Sequence, residues 1–144
     1  MKYLLFSLLF LTTCTSTPQG IAPVSTLPAD KSGKVHPVAG QLAAYNLRDI
    51  NMFAIYFHED IKLYRLGETQ PFVSSRAQLR ETYGRMFAKT PNLHCKIIRR
   101  MVTADFVIDE EIVSGMKKDS YVHAIAIYEV KGGTITRAWF IKDR

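Results

Sequence analysis

Chemistry in this 144-residue chain would first be sought at Glu110 and His123, two ionisable side chains set inside aliphatic runs. Residues 106–116 and 121–130 are rich in Ile, Val, Tyr and Phe, as β-strands are, and Lys117-Lys118-Asp119-Ser120 separates them. If Met116 pairs with Tyr121, Glu110 falls opposite Ile127, Ile112 opposite Ile125 and Ser114 opposite His123. Gly132-Gly133 accepts the positive φ of a tight turn and returns the chain into residues 134–142. Pairing Lys131 with Thr134 then sets Ile127 opposite Ala138 and Ile125 opposite Phe140. One sheet face thus joins Glu110 and His123 to Ile112, Ile125, Ile127 and Phe140, a composition suited to a cavity wall. Shielded from water there, the Glu110 carboxyl would serve as a general acid or base, and His123 as a proton relay. The plainer alternatives are a Glu110 paired with an arginine and a His123 hydrogen-bonded within its strand.

Other residues offer less. Tyr64 and Arg65, near the mouth of such a hollow, could hold an anionic headgroup; Arg65 as a plain surface cation is the competing reading. Cys95 in a strand pattern reads as a small buried apolar residue before it reads as a nucleophile. His58 and His94 have no ligand-like spacing to another His, Cys or carboxylate, so neither a metal nor a cofactor is expected. The opposite sheet face would carry Asp109, Glu111, Ala126, Tyr128, Arg137 and Trp139. Charge mixed with Tyr and Trp is the composition of a protein interface, and a homodimer through Tyr128, Arg137 and Trp139 is expected there.

These strands need elements to cover them, because a sheet so apolar must bury a face. Leu42, Ala43, Tyr45 and Leu47 suggest a first helix from about Ala39. Asp49 is an N-cap for a second helix over 50–57. His58-Glu59-Asp60 reads as a turn before a short strand at 61–64. Ser75 and Gln78 have capping-box spacing, and Leu79, Tyr83, Met86 and Phe87 give a helix to about Ala88, ended before Pro91. A strand over 93–101 precedes the three-stranded region.

The N-terminus is different in kind. Lys2, an apolar run at 3–11 and then Cys14 read as an export signal, since nine residues cannot cross a bilayer needing roughly twenty. Residues 15–38, with Pro18, Pro23, Pro28 and Pro37 among Ser, Thr, Gly and Lys, read as a tether. Loss of 1–13 removes one of the 19 basic residues and none of the 13 acidic, leaving a formal +5. That charge is scattered, which argues against nucleic acid as a partner.

Two resemblances attach to these residues. Leu11-Thr12-Thr13-Cys14 resembles the lipobox of bacterial lipoproteins, which implies acylation of Cys14 and a membrane anchor; an ordinary signal peptide cut after Thr13 is the alternative. Residues 45–50, 56–61, 75–87 and 131–140, in the order helix, helix, strand, helix and antiparallel strands, resemble SnoaL-like members of the nuclear transport factor 2-like superfamily. The resemblance implies an α+β fold over 39–144, three helices packed on a curved antiparallel sheet around a conical apolar cavity. Laid on that family's ketosteroid isomerases, the catalytic base falls on Arg65 and the oxyanion donors on Gln41 and Ile125, so that catalytic set is missing. The alternating Arg and Asp of its epoxide hydrolases are missing as well. The expectation is an exported, lipid-anchored domain binding a small apolar ligand or a protein partner. The alternative is an isomerase, cyclase or hydrolase using Glu110 and His123 on a hydrophobic carbonyl or epoxide.

Overall fold

The computed structural model describes residues 33–142; the expected signal sequence and Cys14 lie outside the described residues. Three helices come before or between the strands: α1 (Val35–Leu47), α2 (Ile50–Ile55) and α3 (Arg76–Lys89). Five strands form one curved sheet: β1 (Phe57–Arg65), β2 (His94–Thr103), β3 (Phe106–Ser114), β4 (Tyr121–Lys131) and β5 (Thr134–Lys142), in the order β1-β5-β4-β3-β2.

Local chemistry fixes the helix starts. The Asp49 carboxylate accepts from the backbone N–H groups of Asn51 and Met52, and the Ser75 hydroxyl accepts from that of Gln78. Each satisfies donors that a first turn would leave unpaired. Gln78 reaches back to the Ser74 N–H at 2.9 Å rather than to the cap's own. α1 starts at Val35, earlier than Ala39, and carries Pro37 in its first turn, where no intrahelical N–H is needed. It ends at Arg48 in the left-handed region, φ 57°.

The sheet departs from expectation in three ways. His58-Glu59-Asp60 belongs to β1, whose pairing is irregular between Phe57 and Lys62. β1 runs parallel to β5, so the sheet is mixed; the α3 crossover sets that direction, and no turn residue encodes it. The third difference is register. β3 and β4 pair Glu110 with Ile125 and Ile112 with His123, two residues from expectation, around a longer loop at 115–120. That slip keeps the parity of the two strands. A bulge between Glu129 and Val130 does not: it sets Tyr128 opposite Ala138, Ala126 opposite Phe140 and Ile127 opposite Trp139.

The helices cover the other face from the one expected. Val107, Asp109, Glu111 and Val113 of β3 are buried under them, with Ala124, Ala126 and Tyr128 of β4 and Ala138 of β5. The intervening Ile108, Glu110, Ile112, His123, Ile125, Ile127 and Trp139 are half-buried on the convex outer side. Tyr128 therefore lies inside and cannot contribute to an outer dimer surface. Tyr45, Phe53, Phe57, Tyr83 and Phe87 join the helices to one another and to β1, with ring centroids 4.8–6.4 Å apart.

Candidate functional site

Between the helices and the inner sheet face lies a cavity of about 570 Å³. Leu42 and Tyr45 of α1 and Tyr83 and Met86 of α3 form one wall; Val113, Val122, Ala124 and Phe140 of the strands form the other. Exposed Arg65, Leu66, Glu68, Ile141 and Lys142 mark the side open to solvent. The alanines matter here. Their short side chains on β4 leave space beneath the helices that Leu or Ile would fill.

The polar groups gather around Glu111, which is 8 % exposed. The Cys95 thiol of β2 donates to its Oε2 at 3.2 Å, and the Tyr128 hydroxyl of β4 to its Oε1 at 3.4 Å. Tyr128 in turn accepts from the Gln41 amide of α1 at 3.3 Å. Deeper on the same strand, Asp109 is 1 % exposed and receives both arms of the Arg100 guanidinium, at 2.7 and 2.6 Å. That fork is the strong form of a charged pair, and it uses up Arg100.

Burial pushes the Glu111 carboxyl up to about 7, and the neighbouring Asp109 charge adds to the rise against the two hydrogen bonds that favour ionisation. Burial also pushes the Cys95 thiol and the Tyr45 and Tyr83 phenols well up, so these stay protonated at neutral pH. Glu111 is thus the group whose charge changes near neutrality inside the cavity. Chemically, it can accept from a ligand cation when ionised, or give a proton to a ligand oxygen when not.

α1 holds this arrangement in place. The Asn46 side chain accepts from the Cys95 N–H at 2.7 Å and donates to the Cys95 C=O at 2.9 Å, which caps the open edge of β2. Arg48 donates to the Leu93 carbonyl at 2.9 Å. The thiol therefore meets Glu111 from a strand tied at both backbone groups.

Of the residues singled out in the sequence, Arg65 and Phe140 line the cavity. Glu110, His123, Ile112, Ile125 and Ile127 look outward instead. Glu110 and His123 do meet, Oε1 to Nε2 at 3.0 Å, with side chains 28 % and 37 % exposed and the Arg99 guanidinium 3.8 Å from Glu110. Tyr64 also points away from the cavity and stacks on Trp139 at 5.9 Å. The residues overlooked were Glu111, Tyr128, Gln41, Tyr45 and Tyr83, together with the polar contact of Cys95. One signal was present. Ala124, Ala126 and Ala138 are the small residues expected where helices approach a sheet, and the first two share parity with Tyr128.

Comparison with known proteins agrees with this architecture. A cystatin-fold protein from Novosphingobium aromaticivorans superposes with a TM-score of 0.69 at 20% identity, covering 75% of this chain and 97% of that one. A protein of ketosteroid isomerase-like fold from Catenulispora acidiphila, in complex with trimethylamine, gives 0.63 at 20% identity, covering 73% and 83%. An LEH-like epoxide hydrolase from M. tuberculosis gives 0.66 at 18% identity, covering 78% and 84%. At such identities these likenesses establish the nuclear transport factor 2-like cone and nothing about activity. No curated protein matches the sequence. The SnoaL-like domain profile matches residues 38–138, from the first turn of α1 to the last strand, and the chain belongs to that family.

Proposed function

We propose that this domain is a binding module for a small, mainly apolar molecule carrying one polar group, and that Cys14 anchors it to a membrane of the cell envelope. The observation behind the first part is the cavity of about 570 Å³, mainly apolar along its walls, with its deep polar groups gathered around Glu111 and charged side chains at the rim. Ligand sites have this composition: area for affinity, and a few fixed polar groups for orientation. Small-molecule binding by the Catenulispora acidiphila relative supports the reading. The isomerase, cyclase or hydrolase alternative requires Glu110 and His123 in the hollow, and both face away from it. A turnover assay should substitute Glu111 instead.

The test is a thermal shift screen of the full chain against lipophilic small molecules. A ligand at a hundredfold its dissociation constant stabilises by about 2.7 kcal/mol, which in a domain this size raises Tm by roughly 10 °C or more. The shift should saturate and should vanish in an Ala124→Leu variant, whose added methyls occupy the hollow. Saturable binding undiminished by that filling would place the ligand elsewhere and overturn the proposal.

A further inference from the structure

We infer that the ligand is a lipophilic amine, bound as its ammonium ion with Glu111 as counter-ion. This rests on the cavity-binding reading and names the chemical class it takes. The starting point is a charge inventory. Asp109 and Glu111 are both buried on the inner face, and Arg100 is the cation beside them. Its guanidinium is committed to Asp109 through two hydrogen bonds. Among the described residues, no Lys, Arg or His forms an ion pair with Glu111. A buried carboxylate without a counter-ion is costly, and proteins usually supply one.

The hydrogen bonds say which form the site is built for. Gln41 donates to the Tyr128 oxygen, which turns the phenol O–H toward Glu111. Cys95 presents its S–H to the other carboxylate oxygen. A carboxylate has about four lone-pair sites, so two neutral donors hold it in place and leave room for a third, charged one. Neutral donors orient the anion without cancelling its charge. The remaining titratable groups facing it, Tyr45 from α1 and Tyr83 from α3, are phenols held protonated and supply no cation.

The walls agree. Tyr45, Tyr83, Phe72 and Phe140 contribute to the lining, and aromatic rings attract an organic cation through their quadrupole. A secondary or tertiary ammonium offers one or two N–H donors and wraps the rest of its charge in alkyl groups, which suits one carboxylate in an apolar hollow. A ligand carboxylate at that depth would lie against Glu111 and Asp109 and be rejected. At the rim, Arg65 is paired with Glu68 at 3.3 Å, and its charge there is screened by water.

The test uses the full chain with three probes of similar size: N,N-dimethylcyclohexylamine, its neutral near-isostere 1-cyclohexylethanone, and cyclohexanecarboxylate. Calorimetric titrations are run at about pH 6 and about pH 8.5, and at about pH 7 in two buffers of different ionisation enthalpy. We expect the amine to bind at least about tenfold tighter than the ketone at the higher pH, with the advantage shrinking at the lower, and the carboxylate not to bind. Binding at about pH 7 should release a proton to buffer. Glu111→Gln should erase the preference while keeping ketone affinity, which also shows that the variant is folded. A ketone that binds as well as the amine, or an amine preference that survives Glu111→Gln, overturns the amine assignment and leaves the cavity reading standing. Failure of all three probes to bind overturns the amine assignment, and together with an empty lipophilic screen it overturns the cavity reading as well.

Discussion

At the scale of single residues, Glu111 carries a pH dependence whose sign can be worked out. Its ordinary value is near 4.5 and its folded value about 7. Below about pH 4.5 it is protonated in both states and its burial costs nothing through ionisation. As pH rises toward 7 the unfolded chain loses the proton first, so folding stability falls, then levels off on the order of 3 kcal/mol lower. Glu111→Gln removes this slope. One of the two donors, Cys95 or Tyr128, then meets an amide NH₂, a loss of about 1 kcal/mol. The variant should be the more stable protein by about 1–2 kcal/mol at pH 8 and the less stable one at pH 4.5. Urea unfolding at both values checks this; equal destabilisation at both would mean Glu111 is not titrating near neutrality. That cost at neutral pH is the one a bound cation, as proposed for this site, would offset. The sequence hid this residue for a physical reason. Glu110 and Glu111 are adjacent, so the choice between them was a choice of sheet face, and the aliphatic richness of the Ile108–Ile112–Ile125 side imitated an interior.

At the scale of elements, α1 and α2 can approach because Gly40 lies under the Tyr56 ring. A Cβ built at Gly40 overlaps that ring, which is held edge-on by His36 at 6.1 Å. Alanine gains about 1 kcal/mol in helix propensity but must displace a packed aromatic, typically 1–3 kcal/mol or more for a misfit of this kind. Gly40→Ala should therefore destabilise by about 1–2 kcal/mol, whereas in a Tyr56→Ala background the same change should stabilise. A double-mutant cycle in urea measures the coupling, and an absent coupling would show that the two helices are spaced by something else. Elements with a local chemical signature were the legible ones: the Asp49 and Ser75 caps, the end of α3, and the Gly132-Gly133 hairpin. The start of α1, the first residues of β1 and the bulge beside Val130 carry no such signature. Each is decided by what packs against it. A one-residue bulge was enough to move Ala138 and Phe140 from the company of Ile127 and Ile125 to that of Tyr128 and Ala126.

At the scale of the whole molecule, helices over one side of a sheet and alternation along its strands were both readable; such layers by themselves pack solid, and the hollow between them was implied by the resemblance to SnoaL-like domains. Which side it occupied was signalled only by Ala124 and Ala126, because the inner face of this sheet carries small and acidic residues and so looks less like a core than the aliphatic face turned to solvent. The anchoring proposal belongs to this scale too. If Cys14 is acylated, palmitate should label the full chain and the protein should fractionate with membranes; Cys14→Ser should abolish both. Retained label in that variant would refute the assignment. A single acyl chain binds only marginally, so stable fractionation also implies more than one chain or a second membrane contact. Ile141 and Lys142 of β5 lie at the lip of the hollow, which they share with Arg65. A bulkier side chain at Ile141 would narrow that doorway and slow the exchange of any guest, so residence time could be tuned there without touching the interior.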